Sequence, residues 1–229
     1  MSEKQFDRLG ENYYNIKGGH VHLYYTKQKV AILKKIIKPD FSVLDVGCGV
    51  GQHAKLLIEG ESCKQIYGMD YSRQMVKSAN KNMGRQFALR ADALAIPFKD
   101  SSFDVVYTSN LLHHLIEREK VKSAVQQMAR VSKKYLIIFE FNSQNPFCKY
   151  FLFKICPYDT GNERIPTKKE IIQIAKDTRL VIHKIIHKSF MPMFTPKSLM
   201  PLFSKIERIL EKVIPWISVG MVYVLEKHE

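Results

Sequence analysis

Residues 43–51 read VLDVGCGVG, a short apolar run that ends in an acid and passes into three glycines at alternate positions. Valine and leucine suit a pleated strand. Glycine lets a chain turn sharply and lets other groups approach the backbone closely. The run then resumes at 51–58 with the helical pattern GQHAKLLI. A strand, a glycine turn and a helix in that order open a βαβ unit, which commits the chain to an α/β class before any other residue is read.

The remaining pattern extends that unit. Apolar runs at 42–46, 64–70, 86–91, 103–109, 135–141, 180–187 and 219–226 are expected to be strands. The segments 26–38, 51–58, 72–82 and 117–131 are expected to be helices, with Ser72 as an N-cap. Thr167 and Glu170 have capping-box spacing ahead of IIQIA, which places another helix start. Leu199, Leu202, Phe203, Ile206, Ile209, Leu210 and Val213 mark a further helix inside 188–217. Strands alternating with helices predict a mostly parallel, doubly wound sheet with helices on both faces. The two excursions, 142–166 and 188–217, are long for a compact domain and are expected to carry structure or function.

The chain of 229 residues suits one domain with a full core. Its start, MSEKQFDRLG, is polar, and no window reaches the ~18–20 apolar residues of a membrane span. A soluble, cytoplasmic protein is expected. The four cysteines form no C-x-x-C pair and have no histidine partners at ligand spacing, so reduced thiols are expected and no metal. The net charge of +14 is spread along the chain without a basic tail or an arginine block, which gives no specific pointer to nucleic acid.

In open α/β sheets ligands bind at the carboxyl ends of the strands. The dinucleotide fingerprint would need glycine at 47, 49 and 52, but position 52 is Gln and the third glycine is Gly51. No G-K-[ST] follows, so a phosphate loop is excluded. Asp70 ends the second run, where a carboxylate can accept from both hydroxyls of a ribose. Asp92 ends the third, where it can accept from an adenine amino group. Three acids at consecutive strand ends are awkward for a polyphosphate and suit an adenosine that carries positive charge.

VLDVGCGVG, MDYS and ADALAIPFKDSSFDVVYTSNLLHHL together strongly resemble the class I S-adenosylmethionine-dependent methyltransferases, over about residues 40–141. The chain is most similar to the small-molecule type that includes ubiquinone and menaquinone biosynthesis enzymes. The resemblance implies a Rossmann-like seven-stranded, mostly parallel sheet with the last strand antiparallel. It implies one domain over 1–229: an N-terminal lid and helix at 1–39, a cofactor-binding core at 40–141, and a helical cap from 142–166 and 188–217. Gly47, Cys48, Gly49 and Gly51 would line the methionine part of S-adenosyl-L-methionine, and Asp45 would help place its ammonium group. Asp70 would hold the ribose, Tyr71 would pack on the adenine, and Asp92 with the Ala93 backbone would address its edge. Asn110 would offer its carbonyl to the ammonium, and Tyr13 and Tyr14 would belong to the lid. The product would be S-adenosyl-L-homocysteine. Relatives often carry K-P-G-G before the fifth strand, where this chain has SKKYLII.

His113 and His114 stand just after the fourth strand and are the expected general base, if the acceptor must lose a proton. Glu140 and Asn142 could orient a substrate, or lie on a solvated rim. His20, His22, Tyr24 and Tyr25 could form part of the acceptor pocket. The Phe-, Tyr- and Met-rich excursions predict a small, partly apolar acceptor: aromatic, quinone-like or lipid-linked. Lys149, Lys154 and Lys188 could meet an anionic group or a peripheral membrane surface, and plain hydrophobic packing within the cap is the other reading. TSNLLHH stands where base-methylating relatives carry Asn/Asp-Pro-Pro-aromatic, which speaks against nucleic acid. RNA methylation by another route and a non-catalytic cofactor-binding protein are the alternatives.

Overall fold

A computed structural model describes residues 19–148, 150, 162–191 and 195–227. The lid tyrosines Tyr13 and Tyr14, Lys149, Lys154 and Cys156 lie outside the described residues.

The chain runs α1 (Gly19–Leu33), β1 (Ser42–Val46), α2 (Gln52–Glu59), β2 (Gln65–Asp70), α3 (Arg73–Met83), β3 (Ala88–Arg90) and β4 (Phe103–Ser109). It continues with a 3₁₀ turn at Leu112–His114, α4 (Arg118–Val131), β5 (Ser132–Phe141), α5 (Lys168–Asp177), β6 (Leu180–Lys188), α6 (Met200–Val213) and β7 (Gly220–Lys227). The seven strands form one sheet in the order β3-β2-β1-β4-β5-β7-β6. β1 through β5 pair in parallel. β7 inserts antiparallel between β5 and β6. This is the expected Rossmann-like sheet with its last strand reversed.

Side-chain alternation in the central strands builds both faces. Leu44, Val46, Val106, Leu136 and Ile138 face a core shared with α4 and α5. Val43, Val105, Tyr107 and Ile137 face the opposite core, shared with α1 and α2. The two caps read from sequence are present. The Ser72 hydroxyl accepts from the Met75 amide, and Thr167 with Glu170 forms a complete capping box.

Three boundaries differ from expectation by more than one residue, one of them the start of β5, which lies at Ser132 rather than 135. The first helix covers Gly19–Leu33 rather than 26–38, because Val21, Thr26, Val30 and Leu33 bury on its inner face and the chain turns before Pro39. The third strand is only Ala88–Arg90, since the Asn80 side-chain oxygen accepts from the Phe87 and Ala88 amides and takes part of the ladder's place. The strand order reverses between β1 and β4, whose carboxyl ends lie side by side through the Val46–Thr108 pairing. A crevice at such a reversal is where an open α/β sheet binds ligands.

Candidate functional site

The glycine turn leaves β1 with positive φ at Gly47, Gly49 and Gly51. The three have different surroundings. A Cβ at Gly47 would meet the Leu111 side chain at 3.1 Å, and one at Gly51 would meet Phe87 at 3.4 Å. At Gly49 a Cβ would meet nothing within 4 Å, so this glycine alone borders open space. The Gly49 amide donates to Asp70 Oδ2 at 2.9 Å, and the Ser72 amide donates to Asp70 Oδ1 at 2.9 Å. Backbone therefore fixes the plane of the Asp70 carboxylate at the carboxyl end of β2.

Asp45 sits beneath the turn rather than on it. Only 1% of it is exposed, and the Tyr107 hydroxyl donates to its Oδ2 at 2.7 Å. Any part in placing a ligand ammonium, as expected from sequence, would be played from beneath the turn. Burial raises the Asp45 pKa, the Tyr107 hydroxyl pulls it back in part and the negative Asp70 adds to the rise, leaving it at about 7. The Cys48 thiol is buried and its pKa is pushed up by burial and by Asp45 and Asp70, so it packs as a neutral group.

The remaining expected contacts lie along the same edge. Asp92 is exposed just past β3, and its Oδ1 accepts from the Leu94 amide at 2.9 Å, with Ala93 half-buried beside it. Tyr71 is half exposed, and the Arg90 guanidinium lies over its ring at 5.8 Å. Asn110 holds φ 57, a left-handed conformation that asparagine tolerates better than most residues, and its amide donates to the Phe139 carbonyl at 2.9 Å. Gly47–Gly51, Asp70, Tyr71, Asp92, Ala93 and Asn110 thus gather at the ends of β1 to β4, as the sequence reading placed them.

His113 and Glu140 form a buried pair. His113 is 2% exposed, with Nδ1 at 2.7 Å from Glu140 Oε1, and its backbone amide donates to Oε2 at 3.2 Å. Burial opposes the charge on Glu140, but His113 and the Phe141 and His113 amides outweigh it, so its pKa is lowered. An ionised Glu140 requires Nδ1 to carry the proton, which leaves Nε2 as the basic ring nitrogen. Glu140 is therefore not a solvated rim residue. His114 is only partly buried and lies against His113, with ring centroids 3.9 Å apart and the rings tilted by 50°. Asn142 is fully buried, and its amide donates to the carbonyls of Trp216 and Ser218. That use as a structural tie replaces the expected role in orienting a substrate.

His20, Tyr24 and Tyr25 of α1 turn toward the 188–217 excursion. His20 Nε2 lies 2.7 Å from the Thr195 carbonyl, Tyr24 donates to Glu207 and Tyr25 donates to the Met191 carbonyl. The Gln28 amide and the Phe190 backbone amide also donate to Glu207, which is 2% exposed. Among the described residues no group of three or more His, Cys, Asp and Glu side chains is placed to hold a metal ion.

Three residues escaped the sequence reading. Lys29 reaches from α1 to Ser109 Oγ at 2.9 Å and Asn110 Oδ1 at 3.1 Å, at the rim of the crevice. Gly68 sits under the turn, where a Cβ would meet Phe87 at 2.6 Å and Cys48 Sγ at 2.9 Å. Glu207 carried no signal beyond an acid in an amphipathic run.

A glycine turn over paired acids thus stands at the reversal point of the sheet, where open α/β sheets bind ligands. Residues 44–138 match the family model described as a methyltransferase domain. It is 27% identical over 162 residues to an O-methyltransferase, cnsE, of Penicillium expansum, covering 62% of this chain and 58% of that protein. It is 34% identical over 94 residues to a probable tRNA methyltransferase 9B of Mus musculus, covering 41% of this chain and 20% of that one. The chain therefore matches less than two thirds of the length of either relative. A putative methyltransferase solved with the Haloferax volcanii Trm112 methyltransferase activator shares the fold, with a TM-score of 0.71 at 15% identity over 97% of this chain and 98% of that one.

Proposed function

We propose that this protein transfers a methyl group from S-adenosyl-L-methionine to a small, partly apolar acceptor. The observation that carries the reading is the electrostatics of the crevice. Asp45 and Asp70 lie close enough for the charge of one to raise the pKa of the other, around a backbone turn that is open at Gly49. A cationic ligand relieves that repulsion, while a polyphosphate worsens it.

The residues present fit such a ligand. Asp70, oriented by two amides, stands at the end of β2 where its carboxylate would meet the hydroxyls of a ribose. Asp92 and the Ala93 backbone stand where an adenine edge would lie, with Tyr71 alongside. The Gly47–Gly51 turn and the Asn110 carbonyl would receive the amino-acid end. Asp45 acts from below, where its hydrogen bond from Tyr107 ties β1 to β4 beneath the turn.

S-adenosyl-L-methionine supplies an activated methyl group on a sulfonium. The chain's task is then to hold the acceptor in line and exclude water, and positioning of this kind can contribute ~7–11 kcal/mol. Glu140 fixes the His113 ring and the turn that carries His114. Of the two rings His114 is the one partly exposed, so it is the better placed to take a proton from an acceptor hydroxyl or acidic carbon. The N-terminal helix and the 188–217 excursion, joined through Glu207, would cap the acceptor side.

The test is transfer of labelled methyl from S-adenosyl-L-methionine into a cell extract split into organic-soluble, aqueous small-molecule, protein and RNA fractions. Label in an organic-soluble or small-molecule product, with S-adenosyl-L-homocysteine released in equal amount, supports the reading. Label confined to RNA favours the activity named for the tRNA methyltransferase relative. Tight cofactor binding with no transfer to any fraction favours a binding protein.

A further inference from the structure

Helix α6 is amphipathic, but its faces are inverted relative to an ordinary surface helix. Leu202, Ile206, Ile209 and Val213 recur at intervals of three and four, which puts them along one stripe, with Leu199 at the N-cap and Trp216 in the 3₁₀ turn that follows the helix. Those six side chains are between 39% and 69% exposed. The acids of the helix lie on the opposite side and point inward. Glu207 is buried against Tyr24, Gln28 and the Phe190 amide, and Glu211 pairs with Lys188 at 2.6 Å. The exposed charges of the helix are Lys205, Arg208 and Lys212, which flank one side of the apolar stripe, and Lys197 precedes it.

A solvent-facing stripe of this extent costs solubility and marks a contact surface. The charge around it selects the partner. A protein core would cover the stripe without regard to the lysines, whereas an interfacial helix needs an apolar face, cationic flanks and no acid between them. The chain's net charge of +14 adds long-range attraction to the same kind of surface. We propose that α6 is a peripheral membrane anchor, whose outward stripe seats among the acyl chains of an anionic bilayer while Lys205, Arg208 and Lys212 meet its headgroups. The docking surface rests on the orientation of this helix and is independent of the acceptor and of the methyl-transfer reading.

Trp216 is the only tryptophan in the chain and stands exposed in the turn just past the stripe, so its emission reports the contact. The full-length protein is mixed at low salt with vesicles of phosphatidylcholine alone or with phosphatidylglycerol added. The expected result is a blue shift and co-sedimentation with the anionic vesicles only, reversed by salt. Ile209→Glu with Val213→Glu removes both, and Lys205→Glu with Lys212→Glu weakens binding by at least about tenfold. All four positions are exposed, and an unchanged thermal midpoint confirms that the variants fold. The absence of a shift with folded wild type, or an equal shift with neutral vesicles, overturns the proposal. So does a shift that appears without vesicles as protein concentration rises, which would assign the stripe to a second copy. A blue emission already present in dilute protein, unchanged by vesicles, would assign it to the chain itself.

Discussion

The two ends of the site are built by different means. At the ends of β1 and β2 the chain uses backbone: three positive-φ glycines, two amides on Asp70 and a bare Gly68 beneath. Between α1 and the 188–217 excursion it uses side chains, with one buried acid, Glu207, gathering a tyrosine, a glutamine and a backbone amide across more than 170 residues of sequence. The first arrangement tolerates almost no change of residue and makes a rigid, charge-tuned crevice. The second depends on a single buried acid and the donors that converge on it.

The comparison breaks most visibly at Glu207. Glu207→Ala leaves the Phe190 amide, the Tyr24 hydroxyl and the Gln28 amide without their acceptor, a loss of about 3 kcal/mol for a buried charged hub. Thermal unfolding should show the drop, while affinity for S-adenosyl-L-methionine stays within a few-fold of wild type. Loss of cofactor binding to the same degree would mean that the two regions act as one.

A smaller effect is expected under the turn. Gly68→Ala forces a methyl against Phe87 and Cys48, for about 2 kcal/mol of overpacking. Unlike the Glu207 change, it should weaken cofactor binding as well as stability, because Cys48 belongs to the turn. Calorimetry beside a melting curve distinguishes the two patterns.

The last prediction is a pH dependence. Asp45 holds its proton up to about 7 in the folded chain against an ordinary 3.8. The folded state therefore binds this proton more tightly than the unfolded state does. The stabilisation from this group is complete below about 4, falls as pH rises toward about 7 and is flat beyond. Asp45→Asn should remove that slope from denaturant-unfolding curves taken between pH 4 and pH 8. An unchanged slope would place the titration elsewhere.

How much of this was legible in the sequence follows the same division. The turn, Asp70, Asp92 and Asn110 could be placed because each stands within a few residues of a strand end, where local pattern and position carry the signal. The His113–Glu140 pair could not, since both residues were visible but nothing local says that β5 brings them together across 27 positions. Gly68 looked like an ordinary strand residue because its constraint comes from the Phe87 ring. In α6 the periodicity revealed an apolar face but not its direction. Only the inward acids, bonded to α1 and β6, show that the face points outward.

The central claim is that the Asp70-anchored glycine turn holds S-adenosyl-L-methionine, and calorimetric titration of wild type and Asp70→Ala tests it most directly. Micromolar binding to wild type, lost in a variant that keeps its circular dichroism spectrum, is the predicted result. No binding to folded wild type, or equal binding to both proteins, would contradict the account.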